Sequence, residues 1–279
     1  MPKFAVSGLA ILGFTLLTGA VPALAQPKYV DETTAVPAGY TLSWADEFDR
    51  PGLPDPKVWT YDVQANRTGW YNNEKQYYAA ARLQNSEVRN GTLRVTARRE
   101  RLTSAADYGG QAYTSARLMT RGKVGFLYGF YEIRAKLPCG QGSWPAIWML
   151  GTEAEWPDGG EIDIMEHVGK TPGTTYGTVH TRASFGKPGS GNGIDVPDAC
   201  SAFHNYQLLW TPDRLDFFVD GVRFHTYAKT DTPDAWPFDR PQYLLINLAV
   251  GGNMAGEVDD TIFPRTLEVD YVRVYKPAK

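Results

Sequence analysis

From about Thr41 onward the chain repeats short runs in which Val, Ile, Leu, Tyr, Phe and Trp alternate with polar residues, punctuated by Gly, Pro, Asn and Asp. Alternation with a period of two marks strands that bury one face, and no long helical periodicity competes with it. The pattern predicts strands over residues 41–48, 93–98, 129–137, 145–150, 161–167, 176–181, 206–210, 215–219, 243–250 and 267–275. Asn90-Gly91 and Asp220-Gly221 fall between apolar runs, as in two-residue hairpin turns that need positive φ at both central positions. This many strands, without an internal repeat or a linker, predict an all-β fold: a β-sandwich of two antiparallel sheets, of the jelly-roll kind, with a concave cleft. The domain is expected over 39–279. The stretch GKPGSGNG, 186–193, reads as a surface loop, because no strand and helix flank it as a phosphate-binding turn requires.

One apolar run lies outside this pattern. Residues 1–25 carry a lysine near the start, a broken apolar run from Phe4 to Leu17 and Ala23-Leu24-Ala25 at the end, the layout of a secretory signal peptide cut before Gln26. A short polar lead, 26–38, follows. No other run approaches the roughly 20 apolar residues of a membrane helix, so export to the periplasm or the extracellular space is expected, without a membrane partner. The formal charge is −3, or −4 without Lys3, and the basic residues form no stripe, which argues against nucleic acid or an anionic membrane surface as partner. Cys139 and Cys200 are the only cysteines, a pair that an oxidising compartment allows to close as one disulfide. Sequence alone leaves open whether they lie close enough. Asn66-Arg67-Thr68 and Asn90-Gly91-Thr92 are glycosylation sequons for a suitable host.

Candidate chemistry centres on DGGEIDIMEH, 158–167, which sets Glu161, Asp163 and Glu166 in an otherwise apolar run. On a regular strand Glu161 and Asp163 share a face and Glu166 points the other way. A β-bulge near Met165 would return Glu166 to their face. The alternatives are ordinary surface acids or a metal-binding set. Gathering three acids costs desolvation energy, however, and a fold keeps such a group where chemistry uses it. Two carboxylates facing each other across a groove are what glycoside hydrolysis uses. Four strand steps separate the glutamate backbones by roughly 13 Å, which inward-leaning side chains on a curved sheet can close toward the roughly 5–5.5 Å of retaining enzymes. Retention of configuration is therefore expected. Asp163 is placed to hydrogen-bond to the attacking carboxylate and to keep the other glutamate protonated, since like charges raise one another's pKa. The residues alone leave open which glutamate attacks.

The fragments WADEFD (44–49), WYNNEKQYY (70–78), TSARLMTRGKVGFLYGFYEIRAKLP (114–138), GSWPAIWMLG (142–151), GGEIDIMEHVG (159–169), LLINLAVGGN (244–253) and VDYVRVY (269–275) together resemble glycoside hydrolase family 16, most closely its laminarinases, the endo-1,3-β-glucanases. The resemblance implies Glu161 as nucleophile, Asp163 as its assistant and Glu166 as acid/base, in the longer Glu-x-Asp-x-x-Glu form of the family motif. It also implies sugar contacts for Trp70, Asn73, Glu74, Arg117, Trp144 and Trp148, where aromatic faces stack on pyranose rings and polar groups bond their hydroxyls. About half of the eight tryptophans are expected in the core instead. His180 is a further candidate contact because its strand should neighbour the catalytic one. His204 and His225 lie outside the motif cluster and read as structural. The resemblance further implies a structural calcium held by Glu47, Gly91 and Asp270, and no cofactor for catalysis. Two departures, Met254-Ala255 after GGN and Thr181 after His180, remove aromatic surface that laminarinases often carry. The leading expectation is a secreted, monomeric, endo-acting, retaining hydrolase of internal β-1,3 bonds in laminarin-like β-glucans. The same mechanism on mixed-linkage glucan or on a galactan such as agarose is one alternative, and a non-catalytic β-glucan-binding protein is another.

Overall fold

The computed structural model describes residues 36–278, so the expected signal peptide, 1–25, and the polar lead up to residue 35 lie outside the described residues. The alternating runs form seventeen strands: β1 (Tyr40–Asp46), β2 (Thr60–Tyr61), β3 (Gln76–Tyr78), β4 (Ser86–Arg89), β5 (Thr92–Arg99), β6 (Tyr113–Ser115), β7 (Arg117–Met119), β8 (Gly129–Lys136), β9 (Ser143–Gly151), β10 (Glu161–His167), β11 (Thr174–His180), β12 (Ser190–Asp195), β13 (His204–Trp210), β14 (Arg214–Val219), β15 (Val222–Ala228), β16 (Gln242–Val250) and β17 (Arg265–Pro277). One sheet has seven strands in the order β12-β11-β10-β9-β16-β7-β2. The other has ten, along β15-β14-β13-β8-β17-β5-β6-β3 with β1 added to β17 and β4 to β5. Pairing is antiparallel except between the short strands β3 and β6. No helix among the described residues is long and apolar enough to cross a membrane.

The two sheets bury one core. Leu93, Val95, Ile133, Leu208, Trp210, Leu267 and Val269 from the ten-stranded sheet meet Ile147, Met149, Ile162, Ile164, Leu244 and Ile246 from the seven-stranded one. Each fully buried side chain of this size contributes about 1.5–3 kcal/mol relative to exposure. Strand β5 shows the alternation in its simplest form, with Leu93, Val95 and Ala97 inside and their neighbours half-exposed. Strand β16 is buried along its whole length, because one face meets the core and the other lies under the cleft. The hairpin expectations hold: Asn90 and Gly91 have φ of 54° and 74°, and Asp220 and Gly221 of 44° and 80°. Cys139 and Cys200 form a disulfide with a Cα–Cα distance of 5.7 Å.

The glycine-rich stretch departs from its expected loop. Its second half enters the edge strand β12, pairing Gly191 with Thr178 and Gly193 with Tyr176. A Cβ on Gly191 would stand 2.7 Å from Thr178 Oγ1, so the glycine that lowers strand propensity is what permits the close approach. Asn192 also donates to the Phe224 carbonyl at 3.0 Å, tying this edge to β15 of the other sheet. Of the two sequons, Asn66 is fully buried, whereas Asn90 is exposed at its turn.

Candidate active site

Strand β10 runs between β9 and β11 and contains the expected bulge. Asp163 pairs with Trp148, Met165 with Ile147 and Glu166 with Ala146 on β9, while on β11 the pairing passes from Asp163↔Thr178 to Glu166↔Tyr176. Ile164 and Met165 thus occupy the length of one residue, and both side chains are buried. Glu166 returns to the face of Glu161 and Asp163. Gly177 lies opposite the bulge, where a Cβ would meet Phe217 at 2.8 Å.

The neighbours of the acids set their protonation. Burial pushes Glu166 up to about 7, with the charge of Glu161 adding to the rise, the Trp144 indole N–H opposing it and the more distant Glu74 adding again. The Trp144 Nε1–H donates to Glu166 Oε1 at 3.0 Å. Glu161 is also raised by burial, but His180, the Trp156 indole N–H, Asp163 and Arg117 all favour its charged form. Asp163 is held well above the usual carboxylate range by burial and by the charges of Glu161 and Glu166, and its carboxyl hydrogen-bonds to Glu161. A carboxyl kept neutral this way serves as a donor.

The other expected site residues divide into two groups. Trp148, half-buried, donates to Asn247 Oδ1 at 2.7 Å. Asn73 donates to Asn253 Oδ1 at 2.7 Å at the exposed rim, on a turn where Asn72 and Asn73 take positive φ, a conformation asparagine tolerates. Glu74 accepts from Gln76 Nε2 at 2.8 Å and from the Tyr78 hydroxyl at 3.2 Å, and burial raises its pKa. His180 faces Glu161 across β10 and β11, with Nε2 3.5 Å from Asp163 Oδ2. Trp70 and Arg117, expected to contact sugar, are both buried and packed against neighbouring side chains. Trp70 is only 5% exposed, its indole N–H spent on Asn66 at 3.0 Å. The Arg117 guanidinium is sandwiched 5.3 Å from the Trp70 ring and 4.7 Å from the Trp148 ring, and pairs with Asp62 at 3.1 Å. Trp144 is buried too and reaches the site through its N–H edge. Five of the eight tryptophans are buried, close to the expected half. His204 pairs with Asp220 at 2.7 Å and Asp198 at 3.2 Å, the structural role expected of it. His225 is likewise structural, 3.2 Å from the Ser190 carbonyl.

Sequence reading missed two participants. Trp156, 49% exposed beside Phe185, bonds to Glu161, and its signal was the WPDGG lead into the acidic run. Asn247, buried within the apolar strand β16, links Trp148 to the Tyr78 hydroxyl at 3.1 Å, and a lone amide in such a run was the available cue.

The calcium expectation is not supported by its donors. β17 pairs with β5 as far as Val269 and with β1 from Val272, so Asp270 lies at the junction between those two strands. Yet Glu47 accepts two hydrogen bonds from Arg273, both at 2.8 Å, and Asp270 pairs with Arg134 at 2.5 Å. Gly91 contributes only its hairpin turn. Carboxylates already neutralised by guanidinium groups do not fit a hard cation.

The sequence profile of glycosyl hydrolases family 16 matches residues 73–273. A β-glucanase of Rhodothermus marinus is 50% identical over 253 residues, 85% of each chain. A solved non-specific endo-β-1,3(4)-glucanase of family GH16, crystallised as a variant with an oligosaccharide at its active site, is 49% identical, covers 88% of this chain and 98% of its own, and superposes with a TM-score of 0.84. The laminarinase structure from Rhodothermus marinus gives 47% identity, 86% and 98% coverage and a TM-score of 0.80.

Proposed function

The chain belongs to glycosyl hydrolases family 16, and on that premise we propose that it is an endo-acting, retaining β-glucanase that cleaves internal β-1,3 bonds of laminarin-like glucans. Glu161 attacks the anomeric carbon while Glu166 gives its proton to the departing glycosidic oxygen. Asp163 donates to Glu161 and so orients it. In the second step Glu166, now a base, takes a proton from water, the water oxygen attacks the same carbon, and the Glu161 ester bond breaks. The reaction draws on side chains alone and needs no cofactor.

One observation carries this reading: two glutamates on one bulged strand both have a pKa raised by burial but have different charged neighbours. Glu166 is held near 7 by burial and by the negative charge of Glu161, as an acid working near neutral pH requires. Glu161 instead has four neighbours that favour its carboxylate. That asymmetry supports the order nucleophile then acid, which residue spacing left open.

A second reading keeps the mechanism and widens the substrate to mixed-linkage β-1,3-1,4-glucan. It is favoured by the 49% identity to a relative that acts on both linkages. The signal-like leader and the disulfide support export. Release of reducing ends from laminarin, mixed-linkage glucan and agarose is the test, with Glu161→Gln as control. Hydrolysis of laminarin that the variant loses is the expected result. Activity on agarose alone would overturn the glucanase reading, and undiminished hydrolysis by the variant would remove Glu161 from its role.

A further inference from the structure

One residue beyond Glu166, β10 ends in a group the hydrolytic mechanism does not use. His167 is fully buried, and neither ring nitrogen has a hydrogen-bond partner among the described residues. An unpartnered buried imidazole is costly to keep, because each polar nitrogen has given up water for nothing. A His167 nitrogen and the two sulfurs of Cys139 and Cys200 all lie within 4.8 Å of one another. The cysteines themselves are of intermediate burial, unlike the fully buried imidazole.

We infer that reduction of Cys139–Cys200 uncovers a site for a soft divalent cation, zinc in the first instance, held by two thiolates and a ring nitrogen of His167. Three features support it. Two sulfurs and an imidazole are a donor set that selects zinc over calcium or magnesium. Tetrahedral zinc, with Zn–S of about 2.3 Å and Zn–N of about 2.0–2.1 Å, sets its ligand atoms roughly 3.5–4 Å apart, within reach of the spread found here. The backbone around the cysteines is also held without the sulfur bridge: Leu137 N–H donates to the Ala199 carbonyl at 2.9 Å and Gly140 N–H to the Gly169 carbonyl at 3.3 Å. The three segments that carry the ligands therefore stay together when the S–S bond breaks.

The chemistry balances with a phosphine as reductant. The phosphorus is oxidised to its oxide with oxygen from water, the S–S bond is reduced, and the two water protons end on the two sulfurs. Zinc then displaces both thiol protons to the buffer and accepts the imidazole lone pair, with water free to take a fourth position. This site is independent of the glucanase reading, and its test does not use hydrolysis.

The experiment compares the mature chain, oxidised and phosphine-reduced, with zinc alone as ligand and cobalt as its spectroscopic substitute. The reduced protein is expected to retain stoichiometric zinc after desalting and, with cobalt, to show thiolate-to-metal charge-transfer absorption, whereas the oxidised protein does neither. Zinc is further expected to slow alkylation of Cys139 and Cys200 in the reduced wild type. His167→Phe, which substitutes an apolar ring, should lose at least about tenfold in zinc affinity, the least that even outer-shell changes commonly cost. Equal zinc retention by the oxidised protein or by His167→Phe overturns the proposal, as does an alkylation rate indifferent to zinc. The alkylation measurement needs only the wild type, so it decides the question even where the variant does not fold.

Discussion

Glu161 and Glu166 are one residue type on one strand, and their different surroundings come from side chains that the fold delivers from elsewhere. Trp144 stabilises the charged form of Glu166 through a 3.0 Å hydrogen bond, so removing that donor favours the protonated form. Activity of the wild type should fall as pH rises through about 7, where Glu166 loses its proton. In Trp144→Phe the same limb of the kcat/KM profile should move to higher pH, by about one to two units for a charged hydrogen bond of the usual strength. Asp163 gives a second prediction of known sign. Its folded pKa lies above its unfolded one, so the unfolded chain releases that proton from about pH 4 upward while the folded chain keeps it, and folding loses stability as pH rises. Asp163→Asn has no such titration. The variant should therefore melt higher than wild type at neutral pH, with a gap in Tm that narrows toward pH 4, while hydrolysis falls because Glu161 loses its orienting carboxyl. Thermal melts of both proteins across that range check it.

At the scale of elements, the bulge in β10 decides whether three acids can act together. Ile164 is the residue without a partner on β9, and its deletion leaves Asp163↔Trp148, Met165↔Ile147 and Glu166↔Ala146 as a regular ladder. The deletion variant should keep all three acids on the cleft face and retain measurable hydrolysis, at a stability cost of about 2–5 kcal/mol for the lost core side chain. Denaturant melts and laminarin hydrolysis check both expectations. The bulge was legible beforehand because a period of two cannot otherwise place residues 161 and 166 on one face. The strands β2, β3, β4, β6 and β7 were not, since runs of two to four residues are too short to display a period. Strand β12 was illegible for a different reason: its glycines argue against a strand until Thr178 and Tyr176 lie beside them.

The whole molecule is closed by a disulfide spanning 61 residues, between the segments that precede β9 and β13. On the loop-entropy account such a bridge stabilises by about 4 kcal/mol. Reduction in the presence of a chelator should thus lower Tm by roughly 10 °C, as calorimetry would show. Fold class, hairpin turns, the need for a bulge and the identity of the three acids were all decided by the sequence itself. Those properties rest on backbone geometry, in which side-chain direction and turn type follow from neighbours a few positions away. Tertiary structure alone decided that Arg117 stacks on the buried Trp70, that Trp156 reaches Glu161, and that Glu47 and Asp270 are claimed by arginines. Burial and charge pairing depend on groups distant in the chain, such as Arg273 for Glu47, and no local pattern encodes which of many possible partners a folded surface brings within reach.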